Sequence, residues 1–395
     1  MLFWLCLAVV VTQGVFGVLS IRHYGALPRV PTVPRRAGLP RVSIIVPARN
    51  EAANLGRLLA SLLNLDYASY EVIVVDDTSS DATSLIASEF DSILLHTGKL
   101  PPGWTGKNYA CYLGAQAATG DWLLFTDADT EHAALSLAST IGYVLDRRLD
   151  ALSVLVGQDT LTFWERLLLP FCYQQFFVGV PGGQVNNSRK EVLLANGQYL
   201  LIRRDAYDQV GGHEVVRSSM AEDVRLAHLL KAYHLRYAVA RGEHLVFARL
   251  YHKLSELWTN FARNSFQFMT LDSRRGGVVL VSAAVATLMP TLLALGLRSG
   301  LDAILLISAY SYAFLVLGLM AWGRIFRVPA WYSLLQPLSA VFFWLVALNS
   351  AVRALLGVGI TWKGRTYGGR WPAIEPTADH TPEPHKSRMK DDSGK

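Results

Sequence analysis

The chain reads as an α/β domain on a mostly parallel sheet, with transmembrane-type apolar helices at both ends. Three observations predict this. Between residues 40 and 270, short apolar runs alternate with helix-like stretches, the pattern of strands joined by crossover helices. Several of those runs stop in polar or acidic clusters: Val42–Pro47 before Asn50 and Glu51, Tyr70–Val75 before Asp76 and Asp77, and Trp122–Phe125 before Asp127 and Asp129. Outside that region lie long apolar segments at 2–20, 277–297, 303–322 and 331–352.

The elements follow in order. Residues 1–21 form an expected membrane anchor, because about 19 apolar residues suffice to cross a bilayer. A cleaved leader fits less well, since no basic stretch precedes the segment and no small-x-small site follows it. Residues 22–39 are a basic, proline-rich tether, expected to be extended. Arg22, Arg29, Arg35, Arg36 and Arg41 flank the anchor without an acid, which predicts a cytoplasmic side. Residues 40–270 have globular composition and form the expected folded domain. Residues 277–356 form a C-terminal membrane region of about three apolar helices. Its last segment carries Pro337, Asn349 and Arg353, so it either spans or re-enters. Residues 357–395 are a basic and polar tail, expected to be partly disordered. The resulting expectation is a multi-pass protein of the cell (inner) membrane with its 40–270 domain in the cytoplasm.

Composition agrees with a membrane protein: 51% of residues are hydrophobic and only 17% charged. The net charge of +6 does not point to nucleic acid, because the basic residues border apolar segments rather than interleave with aromatics. Three scattered cysteines give no disulfide framework and no zinc spacing.

Chemistry concentrates at the strand ends. In open α/β sheets, ligands bind beyond the carboxyl ends of the strands, so these acids should gather on one edge. Asp127 and Asp129, one residue apart, suit a hard cation such as Mg2+ or Mn2+ that keeps positions open for phosphate oxygens. A turn-capping role is the structural alternative for them. Asn50 and Glu51 read either as a helix start or, with Pro47 and Ala48, as a loop for a nucleobase and ribose. Lys107 closes a glycine-bearing loop, Gly103–Lys107, and could offset diphosphate charge. Glu222 and Asp223 head an amphipathic helix, where an acid pair also complements the helix dipole. Gly197 and Gly212 permit tight turns near an acceptor site. His213 reads as a packing residue rather than a ligand. Residues 162–177 are aromatic and nearly apolar, either a buried helix or an interfacial segment whose Trp164 and Phe177 line a lipid groove.

Taken together, Pro47–Glu51, Val74–Asp77, Gly106–Lys107, Asp127–Asp129 and Glu222–Asp223 occur in the order that resembles family 2 glycosyltransferases of the GT-A fold. The resemblance spans roughly residues 40–270 and is nearest to the membrane-bound branch of carotenoid, hopanoid-associated and ceramide glycosyltransferases. Gly211–Arg217, Trp104–Lys107 and Trp362–Arg365 favour the carotenoid and hopanoid-associated members. The resemblance implies that Asp77 accepts a hydrogen bond from the base, consistent with uracil. It implies that Asp129 ligates the metal, with Asp127 on ribose or a metal-bound water. It makes Asp223 the general base of an inverting transfer, with Glu222 orienting. Arg263 matches the Arg of the Gln-x-x-Arg-Trp motif of processive members, but Asn260 and Asn264 replace the Gln and Trp. That departure weakens polysaccharide synthesis. The expected reaction moves a sugar, of the UDP-glucose type, to a carotenoid- or hopanoid-like membrane lipid. The alternatives are transfer to a polyprenyl phosphate or a ceramide-like lipid, and a non-catalytic nucleotide- or lipid-binding scaffold.

Overall fold

A computed structural model of the protein describes residues 2–34, 37–249, 251, 253–271, 273–299, 302–356, 360–362 and 365–367. The strands of the domain are β1 (Val42–Ala48), β2 (Tyr70–Asp76), β3 (Ile93–His96), β4 (Trp122–Thr126), β5 (Thr130–His132), β6 (Ala151–Leu155), β7 (Gly157–Gln158), β8 (Tyr199–Arg203), β9 (Tyr237–Arg241) and β10 (Val246–Ala248). The helices begin with α1 (Leu2–Gly25), α2 (Leu55–Leu63), α3 (Thr83–Ser88), α4 (Gly106–Ala117), α5 (Ser136–Asp146) and α6 (Phe163–Gly179). Next come α7 (Gly182–Val185), α8 (Arg204–Gln209), α9 (Gly212–Val215), α10 (Glu222–Ala232) and α11 (Leu254–Leu271). Then follow α12 (Ser273–Ser299), α13 (Asp302–Ile325) and α14 (Gln336–Leu355).

The main sheet runs β3-β2-β1-β4-β8-β6-β9. Every pairing in it is parallel except those of β8, which runs against both β4 and β6. The β-branched run at the start of β1 is buried on both faces, as a central parallel strand requires. Reversal of β8 matters for the site. It pairs Tyr199 with Thr126, so the residues just before β8 meet those just after β4. A second sheet, β5-β10-β7, lies under that edge.

Helix α2 starts at Leu55, later than the helix start offered by Asn50 and Glu51, because Ala52–Asn54 form turns. Helix α1 runs through Gly25, past the expected end of the anchor. The tether beyond it is extended but not a loose spacer. Arg241 N donates to Pro28 O at 2.7 Å and Val30 N to Arg241 O at 2.9 Å, and Leu27 and Val30 are buried. The tether thereby covers the β9 edge of the sheet.

Helix α6 joins the two halves of the molecule. Thr162 and Glu165 close its first turn as a capping box. Phe171 packs with Val9, Ala286, Leu315, Leu319 and Ala340 from the apolar helices, while Leu167, Leu168 and Phe177 belong to the domain core. Two segments, Leu7–Gly25 and Ala330–Ser350, are long and apolar enough to cross a membrane by length and composition. Helix α14 is continuous, with Pro337 in its first turn where its missing N–H costs nothing. Apolar stripes at helical spacing face outward: Val11, Val15 and Val18 on α1, Tyr310, Phe314 and Leu317 on α13, and Leu338, Val341, Leu345 and Leu348 on α14. Residues 357–395 lie largely outside the described residues, apart from a short hairpin pairing 360–362 with 365–367.

Candidate active site

The parallel strands deliver their carboxyl ends to one edge, and the predicted residues converge there. Pro47 and Ala48 are the last residues of β1 rather than part of a loop, in register with Val75 and Asp76. Ala48 is buried, and its carbonyl accepts from Asp77 N at 2.8 Å. Asn50 takes a positive φ of 52°, and its Oδ1 accepts from Ser80 N at 2.9 Å. This pins the β1 turn to the β2 turn. Glu51 accepts from Asn54 Nδ2 at 2.9 Å.

Asp76 and Asp77 take different roles. Asp76 is a turn cap: Ser79 N and Oγ donate to one oxygen and Ser84 Oγ to the other. Asp77 is buried and faces the edge, held by Thr97 Oγ1 at 3.0 Å and by Arg49, 3.8 Å away. Arg49 also donates to the Asp77 carbonyl and the Thr78 hydroxyl. It is the offsetting cation that two adjacent carboxylates require, although sequence reasoning passed it over. Its place within Pro47–Glu51 was the signal available.

Lys107 is the hub of the site. It lies in the first turn of α4, not in a loop as expected, because Thr105 Oγ1 caps the helix by accepting from Asn108 N. A cation is unfavourable at a helix N-terminus. Two carboxylates offset this: Lys107 Nζ stands 2.8 Å from Asp127 Oδ1 and 2.8 Å from Glu222 Oε1. Burial penalises the ammonium, but Asp127 and Glu222 more than reverse that and hold it protonated well above the usual lysine range.

Glu222 and Asp223 open α10, and neither is left to a generic dipole role. Glu222 is neutralised by Lys107. Asp223 accepts from Gly197 N through Oδ2 at 2.9 Å and from Val224 N through Oδ1 at 2.8 Å. Each oxygen keeps a lone pair for a further proton. Burial, then the Glu222 charge, push the Asp223 carboxyl up to about 6, against the pull of Lys107. The adjacent carboxylates thus take different parts, Glu222 paired with Lys107 and Asp223 poised to take a proton. Gly197 is required for this approach: a Cβ there would lie 3.2 Å from Lys107 Nζ and 3.5 Å from Asp223 Oδ2.

Asp127 and Asp129 lie in the turn after β4. Their oxygens have the hardness that Mg2+ or Mn2+ prefers. Among the described residues no cluster of three or more His, Cys, Asp or Glu forms. An ion there would therefore complete its shell with phosphate oxygens and water, which is how Mg2+ is held in phosphate-substrate sites. The donor set fits a cation shared with a substrate.

The remaining candidate residues differ in how they are packed. Gly212 has a positive φ of 52° and sits against the Tyr207 ring, whose hydroxyl accepts from His213 N at 3.0 Å. This knot is a core feature, since a Cβ on Gly212 would strike that ring. His213 is buried, and burial lowers its imidazole to about 3, so it stays neutral. Phe177 is also core: it is 1% exposed, with Trp322 stacked on its ring at 5.7 Å and Tyr24 edge-on at 5.2 Å. It has no face left for a groove. Trp164, by contrast, is 38% exposed beside Phe163. The Arg263 side chain lies outside what the structure describes.

Comparison with known proteins agrees with this geometry. Residues 43–211 match the model of the glycosyl transferase family 2 domain. The chain is 25% identical over 340 residues to the 4,4'-diaponeurosporenoate glycosyltransferase of Staphylococcus aureus (strain USA300), covering 82% of this chain and 88% of that one. It is 30% identical over 216 residues to the enzyme of the same name from Staphylococcus haemolyticus, covering 53% and 56%. Among solved structures, the mannosyltransferase PcManGT from Pyrobaculum calidifontis, in complex with GDP-Man and Mn2+, superposes with a TM-score of 0.53 at 17% identity, over 90% of this chain and 99% of that one. With the acid-lined edge of its mostly parallel sheet, the chain carries a family 2 glycosyltransferase domain at residues 43–211 and has the GT-A fold.

Proposed function

We propose that the protein is a membrane-anchored, metal-assisted inverting glycosyltransferase that moves a sugar from a nucleotide-sugar, of the UDP type, to an apolar lipid. The observation that carries this is the linked set Asp127–Lys107–Glu222 beside Asp223 and Gly197. Asp77, Asn50 and Glu51, with Pro47 and Ala48 beneath, form the nucleoside end. Asp127 and Lys107 form the diphosphate end, with Asp129 as the metal ligand. A bound Mg2+ or Mn2+ would supply Lewis-acid stabilisation of the leaving diphosphate. Where the acceptor is a hydroxyl, Asp223 removes its proton as that oxygen attacks the anomeric carbon from the face opposite the diphosphate. Glu222 holds Lys107 in place and keeps the Asp223 carboxyl basic.

The outward apolar stripes of α1, α13 and α14 support the membrane reading. Exposed apolar surface on this scale is costly in water and is what lipid chains cover. A catalytic edge tied to such helices through α6 meets substrates dissolved in the bilayer. Trp164, at the exposed end of α6, is the aromatic left to contact a lipid acceptor. The relatives' named substrate favours a carotenoid-like acceptor over a polyprenyl phosphate or ceramide-like lipid. A non-catalytic scaffold would have no use for an Asp223 carboxyl pushed toward neutrality.

The test is release of UDP from UDP-glucose by the purified protein, with Mg2+ or Mn2+ and extracted membrane lipid. Release that requires both lipid and metal is the expected outcome, and with an alcohol acceptor it is lost in Asp223→Asn. Absence of lipid-dependent release with any nucleotide-sugar tried would refute the reading.

A further inference from the structure

Next to the metal-type acids lies a pair of donors that the reading above leaves unused. Arg249 follows β10 directly, and its amide donates to the Asp129 carbonyl at 3.0 Å. In the small sheet, Ala248 pairs with Thr130 on one side and Gln158 on the other. Gln158 Nε2 donates to Gln198 Oε1 at 3.4 Å, and the Gln198 carbonyl accepts from Thr126 Oγ1 at 2.9 Å. Arg249, Gln158 and Gln198 therefore form a belt around the end of β4, where Asp127 and Asp129 begin.

Two donors in that belt are buried and meet no acceptor among the described residues: Arg249 Nε and Gln198 Nε2. Three of the nearby acids are engaged elsewhere. Asp127 pairs with Lys107, and Glu131 and Asp159 both face Arg57. Leaving buried donors unsatisfied costs free energy, most of all for a charged group. The complementary group has several acceptor oxygens and negative charge, which a guanidinium grips well.

Resting on the donor reading above, we propose that Arg249 and Gln198 form an anion subsite that takes phosphate or carboxylate oxygens of a substrate. One source is the diphosphate of the donor. The other is the ionised acid group of a lipid acceptor. In either case Arg249 binds substrate opposite Lys107, and the two cations bracket the Asp127–Asp129 turn.

The experiment uses full-length Arg249→Met, Arg249→Lys and Gln198→Leu proteins in detergent, with folding checked by near-UV circular dichroism. Calorimetry in Mn2+ compares UDP with uridine. Kinetics compare a long-chain carboxylic acid with its alcohol as acceptor. A diphosphate source predicts UDP affinity weaker by roughly tenfold or more in Arg249→Met, uridine affinity unchanged, and partial recovery in Arg249→Lys. An acceptor source predicts unchanged UDP affinity, with the KM for the acid raised about tenfold and that for the alcohol unmoved. Should Arg249→Met fail to fold, Arg249→Lys and Gln198→Leu carry the same comparisons. Folded variants within about twofold of wild type throughout would overturn the subsite alone, while wild-type protein that binds no uridine nucleotide would overturn the donor reading and the subsite with it.

Discussion

Asp223 should write its own titration into the pH dependence of the enzyme. Its carboxyl is pushed up to about 6 by burial and by Glu222. A group with that affinity is about 90% ionised at pH 7 and about 10% at pH 5. A base acts only when deprotonated, so kcat/KM for an alcohol acceptor should fall as pH drops through 6, by roughly tenfold from pH 7 to pH 5. Two substitutions should move the limb in opposite directions. Glu222→Gln removes the like charge and should shift it down. Lys107→Met removes the cation that opposes the rise and should shift it up. The assay is product formation across pH 4.5–8 at acceptor concentrations well below KM, with the lipid–detergent mixture held constant. A flat profile, a limb that ignores both substitutions, or a limb that persists in Asp223→Asn would refute the assignment.

Asp129→Asn should abolish metal-dependent donor binding while the fold survives, and calorimetry with unchanged UDP-sugar affinity in Mn2+ would argue against Asp129 as a ligand. Phe177→Ala should cost about 3–5 kcal/mol of stability, as expected for a fully buried aromatic, measured by thermal or denaturant unfolding. Trp164→Ala, at an exposed position, should cost far less and instead raise the KM for lipid; equal destabilisation by the two changes would contradict this division. Protease added to sealed right-side-out vesicles should spare residues 40–270, and cleavage there without detergent would reverse the proposed orientation.

The strand ends were legible because acids after apolar runs survive as a pattern even when register is unknown. Asp127 and Asp129 could be found in this way, and Glu222 and Asp223 as an acid pair heading an amphipathic helix. What remained hidden depends on topology and packing. The reversal of β8 cannot be read from Tyr199–Arg203, whose apolar run is the same for either direction. Yet that reversal carries Gly197 to Asp223. β5, β7 and β10 are too short to show a period, so Arg249 had no visible neighbours beyond its own run. Lys107 was read as a loop residue because the glycines around it outweighed Thr105, whose cap starts the helix. Phe177 and Trp164 share an apolar stretch, and only the docking of Trp322 and Tyr24 separates a core ring from an exposed one.

The acid–base state of the acceptor decides how much Asp223 can contribute. A hydroxyl keeps its proton at neutral pH, so its attack needs a base within reach. A carboxylic acid of ordinary affinity, near that of Glu at about 4.3, is already ionised there. The relatives are named for a neurosporenoate, which is a carboxylate. With such an acceptor Asp223 has no proton to remove, and its charge opposes the incoming anion. The cations Lys107 and Arg249 then become the groups that hold the nucleophile. Asp223→Asn should therefore separate the two classes. Turnover of alcohol acceptors should drop by about 10²-fold or more, while that of acids should change little or rise. Paired measurements on one lipid chain ending in an alcohol or an acid isolate this effect, because apolar burial is the same in both. Equal losses for the two acceptors would mean that Asp223 acts by positioning Gly197 and the α10 turn rather than by taking a proton.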